Sequence, residues 1–98
     1  MANAELCFLS ATALAEAIRT RQVSPVEVVD AHLSRIQALN GDLRSYLCVD
    51  GDRARDAAGA AEIEIGAGGY RGPLHGVPVA HKDVFDVQGL PTTAGSRL

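Results

Sequence analysis

Lys82 is the only lysine in a chain of 98 residues that carries eight arginines. It follows a short apolar run, Val77-Pro-Val-Ala-His81, and is followed by Asp83 and, three positions on, Asp86. The run predicts a strand over 77–81. On strand parity Lys82 shares a face with Pro78 and Ala80, while Val77, Val79 and His81 take the other. A lysine at the C-terminal end of such a strand stands where open α/β sheets gather their chemistry. If the strand is internal, loss of water favours the neutral amine, while Asp83 and Asp86 favour the ammonium. A neutral lysine is a general base, and Ser-Lys pairs are an alternative to Ser-His-Asp. The competing reading is a solvated strand-end lysine paired with Asp83 or Asp86, since structural ion pairs outnumber perturbed lysines.

Other residues have the chemistry for ligation but not the spacing. His75, His81, Asp83 and Asp86 could converge on a metal, yet strand alternation puts only His81 and Asp83 on one face. His32 has no second ligand at i±3 or i±4 and reads as a packed or half-exposed histidine. No metal is therefore expected. No cofactor is expected either: the Gly66–Gly72 loop lacks the following helix of a phosphate-binding turn and reads as a connector. Cys7 and Cys48 are far apart and in no Cys-x-x-Cys pair, which points to two reduced, buried thiols rather than a disulfide.

The elements that position these residues alternate. A helix is expected from about Thr12 to Gln22, with Ser10 as N-cap and Leu14, Ala17, Ile18 and Arg21 on one face. Ser24-Pro25-Val26-Glu27 is a capping box with proline at the first helical position. It opens a second helix with Val29, Leu33 and Ile36 on its apolar face and a left-handed stop at Asn40-Gly41. Leu43 to Val49 alternates like a short strand. Arg53 to about Ile65 reads as an alanine-rich helix with Ala54, Ala57, Ala58, Ala61 and Ile65 inward. The strand at 77–81 comes last, and residues 86–98 read as a structured loop or short hairpin. The order helix–helix–strand–helix–strand indicates an α/β sheet protein.

Composition excludes several functions. A net charge of −3 leaves no electrostatic footprint for nucleic acid. No apolar run approaches the ~18 residues of a membrane span. Met1 to Cys7 has no basic n-region, so a cytoplasmic location is expected. Sixteen alanines inflate the 47% apolar fraction, and each buries little area. Two strands do not make a sheet that stands alone. Residues 1–98 are thus expected to be part of one domain whose remainder covers them. The alternative is a partner chain, a homodimer among the options, over the strand edges. Alone, the chain is expected to fold poorly, with an unpaired edge at Val77–His81.

The last quarter of the chain resembles a known family. Gly72-Pro-Leu-His-Gly-Val-Pro precedes the apolar run, then Lys82-Asp83, then Gly89-x-x-Thr92-Thr93-x-Gly95-Ser96. This is similar to the N-terminal block of the amidase signature family. The helix opening at Ser24-Pro25-Val26-Glu27 and the stretch near Tyr46-Leu47 also match, so the resemblance covers almost the whole chain.

The resemblance implies an α/β/α domain with a central mixed sheet and a Ser–cis-Ser–Lys triad acting on a small-molecule amide. Lys82 then corresponds to the triad lysine. It takes a proton, through a bridging serine, from the serine that attacks the carbonyl. Both serines of the family lie downstream of the lysine, in a Gly-Ser-rich loop. Ser10, Ser24, Ser34, Ser45 and Ser96 do not stand in such a loop, so residues 1–98 are expected to be inactive alone. His81 departs from the aliphatic residue frequent at that position in the family. Two alternatives stay open: the A-type subunit of a tRNA-dependent amidotransferase, and a non-catalytic truncated or interaction piece.

Overall fold

Residues 3–82 and residue 88 are described by the computed structural model. Its first element, α1 (Asn3–Leu6), is a single turn that no sequence periodicity announced. The helix α2 (Ala11–Arg19) starts where its cap requires: the Ser10 hydroxyl accepts from the Ala13 N–H at 3.1 Å. It ends short of Gln22. The Thr20 hydroxyl donates to the Glu16 carbonyl at 2.8 Å, and Arg21 turns into the left-handed region at φ 61°. The amides of Gln22 and Val23 then fold back onto the Ala17 carbonyl.

α3 (Pro25–Leu43) opens with the expected capping box. The Glu27 N–H donates to Ser24 Oγ at 3.1 Å, and the Ser24 N–H donates to the Glu27 carboxylate at 3.4 Å. Its end differs from the expected stop at Asn40-Gly41. The helix continues through both residues, and Arg44 makes the left-handed cap at φ 51°, donating its N–H to the Asn40 carbonyl. The reason lies in the Asn40 side chain. Its Oδ1 accepts from the Tyr46 N–H at 2.8 Å and its Nδ2 donates to the Tyr46 carbonyl at 3.0 Å. Asn40 thus braces the chain after the helix instead of ending it.

α4 (Gly51–Gly66) is capped by Asp50, whose carboxylate accepts from the Arg53 N–H at 3.2 Å. The Arg21 guanidinium donates to the carbonyls of Ile65 and Gly66 at 3.2 and 3.1 Å. A cation there adds a partner to the carbonyls at the helix end and complements the helix dipole.

The core is small. Leu6, Ile18 and Val28 are fully enclosed, with Leu14, Ala17, Val23, Ala31 and Ile65 around them. Each large side chain contributes about 1.5–3 kcal/mol on burial. α3 packs against both α4 and α1, and buried Ala58 and Ala61 let α4 approach closely. Ala57, expected inward, is exposed, and Ala54 is half-buried. On α3 the buried face is Pro25, Val28, Val29 and Ala31. Leu33 and Ile36, expected inward, are only half-buried.

The stretches expected as strands, 43–49 and 77–81, form no ladder among the described residues. Leu43 closes α3, and the chain from 44 to 50 and from 77 to 82 has no regular hydrogen-bonded structure. A strand exists only by pairing, and these two stretches do not pair with each other. Cys7 is half-buried, its thiol donating to the Ala31 carbonyl at 3.5 Å, whereas Cys48, expected buried, is exposed.

Candidate functional site

The segment that carries Lys82 is anchored several residues upstream of it. Pro73 to Gly76 forms a tight turn, in which the His75 N–H donates to the Gly72 carbonyl at 3.0 Å and the Val77 N–H to the Leu74 carbonyl at 3.1 Å. Gly72 and Gly76 hold φ of 132° and 86°, a region that L side chains rarely adopt. At Gly76 space adds a second requirement, because the Pro25 ring and Ile18 lie directly against its Cα. Val77 is half-buried and packs against the core.

His75 is the buried polar residue of this turn. Its Nδ1 accepts the Arg71 N–H at 3.0 Å, which leaves the neutral ring with its proton on Nε2. Nε2 lies 3.3 Å from the Glu64 carboxylate on α4, within ionic range but out of line for a hydrogen bond. Glu64 also pairs with the Arg71 guanidinium at 3.0 Å. Tyr70 stacks on the imidazole with ring centres 6.1 Å apart. His75 is therefore held through Nδ1 within its own turn, with Nε2 buried against Glu64. His81 is exposed, and Asp83 and Asp86 lie outside the described residues. His32 bonds locally: its Nδ1 donates to the Val28 carbonyl at 2.8 Å.

Beyond Val77 the chain runs along a broad groove of about 1050 Å³ between α3, the 45–50 stretch and the start of α4. Leu33, Ile36 and Leu39 of α3, Tyr46 and Leu47 of the following stretch, and Val79 to Lys82 line it. The lining is mostly apolar and open. Leu43 and Leu47 are 66% and 70% exposed, values at which a leucine in a finished core is not found. Lys82 itself is exposed. Residues 3–82 do not supply the burial that would strip water from its ammonium. The Gly89, Thr92, Thr93, Gly95 and Ser96 positions of the motif lie outside the described residues.

The sequence singled out Lys82 and missed the turn that holds its segment. The signal was available: Gly72-Pro73 and Gly76 punctuate a turn, and a histidine inside it needs partners if buried. No reading of single residues could name Glu64 as the partner, since that contact spans two elements.

Comparison with known proteins bears on the same stretch. The sequence model of a family described as Amidase matches residues 27–98. Over 94 residues the chain is 47% identical to the A subunit of the glutamyl-tRNA(Gln) amidotransferase of Anaeromyxobacter sp. (strain K), covering 96% of this chain and 19% of that protein. Over 88 residues it is 46% identical to an Amidase of Pseudomonas putida, covering 90% of this chain and 19% of that protein. A third relative, the A subunit of the glutamyl-tRNA(Gln) amidotransferase of Cutibacterium acnes (strain DSM 16379 / KPA171202), is 46% identical over 94 residues, 96% of this chain and 19% of that protein. The chain thus spans about a fifth of the length of the curated relatives it matches. No solved structure matches it.

Proposed function

The chain belongs to the amidase family, the amidase signature enzymes, and on that footing we propose that it supplies the N-terminal part of an α/β/α domain that cleaves a carboxylic amide, with Lys82 as its active-site amine. The observation that carries this reading is the family match over 27–98, which contains the whole Gly72–Ser96 block around Lys82. In this reading the neutral Lys82 amine accepts a proton, through a bridging serine, from a nucleophilic serine. That serine attacks the amide carbonyl, the proton held by Lys82 passes to the amide nitrogen as the C–N bond breaks and the nitrogen leaves as an amine or ammonia, and water then hydrolyses the acyl-serine ester. Both serines come from sequence beyond residues 1–98, as does the central mixed sheet in which the 77–81 stretch finds its strand partners.

The open groove supports the same reading. Its apolar lining is the face on which the remainder of the domain packs, and closure of that face removes water from Lys82. The burial then favours the neutral amine that a general base must be. A small-molecule amide is the substrate class.

Among the described residues no helix is long and apolar enough to cross a membrane.

A second reading has its own support. Two of the relatives named above are the A subunits of glutamyl-tRNA(Gln) amidotransferases. In that case the amide nitrogen is passed on to a tRNA-linked acceptor, and activity requires companion subunits.

The test is a graft in which residues 1–98 replace the matching N-terminal stretch of the Pseudomonas putida amidase. Amide hydrolysis by the graft, lost on Lys82→Met, is the expected result. A graft that folds and hydrolyses amides equally well with and without Lys82 would sink the assignment.

A further inference from the structure

We propose that His75 is a positioning residue for the Lys82 segment: it clasps the 72–76 turn to the end of α4, and so sets where the chain starts toward Lys82. The proposal rests on the reading of Lys82 as the active-site amine.

The side chain is 4% exposed, on a turn whose neighbours Pro73 and Leu74 are exposed. A polar ring is not buried on an exposed turn without compensation, because desolvating an imidazole costs free energy unless its nitrogens are used. Nδ1 is used within the turn, while Nε2, buried without a hydrogen bond, faces the Glu64 carboxylate in another direction. Nδ1 holds the Arg71 N–H at 3.0 Å and closes the loop from 71 to 75 on itself. Nε2 lies 3.3 Å from the Glu64 carboxylate and sets that closed loop against another element. Glu64 is also held from its backbone side, where its carbonyl accepts the Gly69 N–H at 2.8 Å, so the anchor point is part of the same connection.

On the opposite side the turn meets Pro25 and Ile18 through Gly76. The turn is therefore gripped from α4 on one side and from α2 and α3 on the other. The next residue, Val77, is the last that packs on the core before the chain runs out along the groove. Six positions separate Gly76 from Lys82 along the chain, and no hydrogen bond among the described residues holds 78–82. Whatever direction the segment takes is set at the clasp. A misplaced general base loses catalysis steeply, since a shift of about 1 Å costs up to 10²-fold in rate.

The test uses the graft and separates the two nitrogens. His75→Asn keeps an acceptor in the Nδ1 position but has no group to reach Glu64; His75→Gln keeps a donor near Nε2 but loses the acceptor for Arg71. With the clasp acting through Glu64, His75→Asn lowers kcat about tenfold with KM within twofold, and His75→Gln recovers part of the loss. Glu64→Ala gives a similar drop, and the double substitution is no worse than either alone. Hydrogen exchange, read on peptides covering 70–82, rises in His75→Asn.

Multiplicative losses in the double variant, or unchanged kcat and unchanged exchange in His75→Asn, overturn the proposal. Lys82→Met separates the two ideas: activity that survives it removes the reading of Lys82, while the exchange of 70–82 still tells whether His75 clasps the turn. If the graft proves inactive, the exchange comparison alone decides, with unchanged exchange counting against the clasp.

Discussion

The Cα of Gly76 lies against the ring of Pro25, so that a methyl group built on it would stand 2.8 Å from Pro25 Cγ and 3.2 Å from Pro25 Cβ. Pro25 is the first residue of α3 and is buried. The turn that leads to Lys82 is therefore seated on the N-terminus of the longest described helix. A β-carbon at this position meets a ring that cannot rotate away, and the φ of 86° penalises it a second time.

Gly76→Ala is accordingly expected to cost about 2–4 kcal/mol, from a strained backbone and overpacking together. Thermal unfolding of the graft checks this. Gly41→Ala is the contrasting substitution, because Gly41 lies inside α3 with nothing within 4 Å of its missing side chain. It is expected to stabilise by about 0.5–1 kcal/mol. Equal effects at the two glycines would show that the Pro25 contact has no role.

Ser24→Ala removes the hydroxyl that accepts the Glu27 N–H. The expected loss is about 1 kcal/mol, with fraying of the first turn of α3. Far-UV circular dichroism and amide exchange at Val26 and Glu27 report it. Ser24→Asp keeps an acceptor and is expected to restore most of the loss.

Glu16 and Arg19 give a titration with a definite sign. The hydrogen bond from the Arg19 guanidinium, aided by its charge, holds the Glu16 carboxyl below its ordinary 4.5. A depressed carboxyl pKa contributes stability that is present above the unfolded value and is lost as pH falls through the folded one. Any contribution of this pair is thus lost below about pH 4.5. Both side chains are more than half exposed, so the effect is small and salt-sensitive. Carboxyl NMR titration is expected to place the Glu16 midpoint below that of an isolated glutamate, and Arg19→Gln to bring it back up.

Lys82→Arg distinguishes proton transfer from charge. A guanidinium keeps the positive charge but does not give up its proton near neutral pH. In the graft it is expected to lower kcat about 10²–10⁴-fold, the range for loss of a general base. Near-normal activity of Lys82→Arg would mean that the residue acts only as a cation.

Leu47→Asp tests the groove. Leu47 is 70% exposed, so the helical content of the 98-residue chain is expected to be unchanged. On the proposed reading the graft buries the same carboxylate without a partner, at a cost of several kcal/mol. A fall in the melting temperature and yield of the graft is expected. A graft that tolerates Leu47→Asp would show that this face stays in water.

What the sequence made legible was local. The capping box at Ser24 and Glu27 and the cap at Ser10 involve residues three apart, and they are present as read. The end of α3 lies beyond Asn40-Gly41 because that pair is a stop signal only when the Asn40 side chain is idle, and here it binds Tyr46. α1 is one turn long and carries no period. The open faces of Leu33 and Ile36 follow the same logic: their spacing announced an apolar stripe but not what covers it. Lys82 stood out by composition and resemblance. The turn that seats its segment depends on Glu64, Pro25 and Ile18, contacts that no spacing encodes.

The Arg21 guanidinium on the last carbonyls of α4 has a consequence for synthesis. The link to Ile65 spans 44 positions, so the corner after α2 is complete only once α4 has emerged. At about 5–20 residues per second, that is a delay of roughly 2–9 s on the ribosome. Through that interval the apolar sides of α2 and α3 face water or whatever chaperone attends the nascent chain. The corner at Arg21 is a late-closing joint, and slowing translation between codons 22 and 66 lengthens the time it stands open.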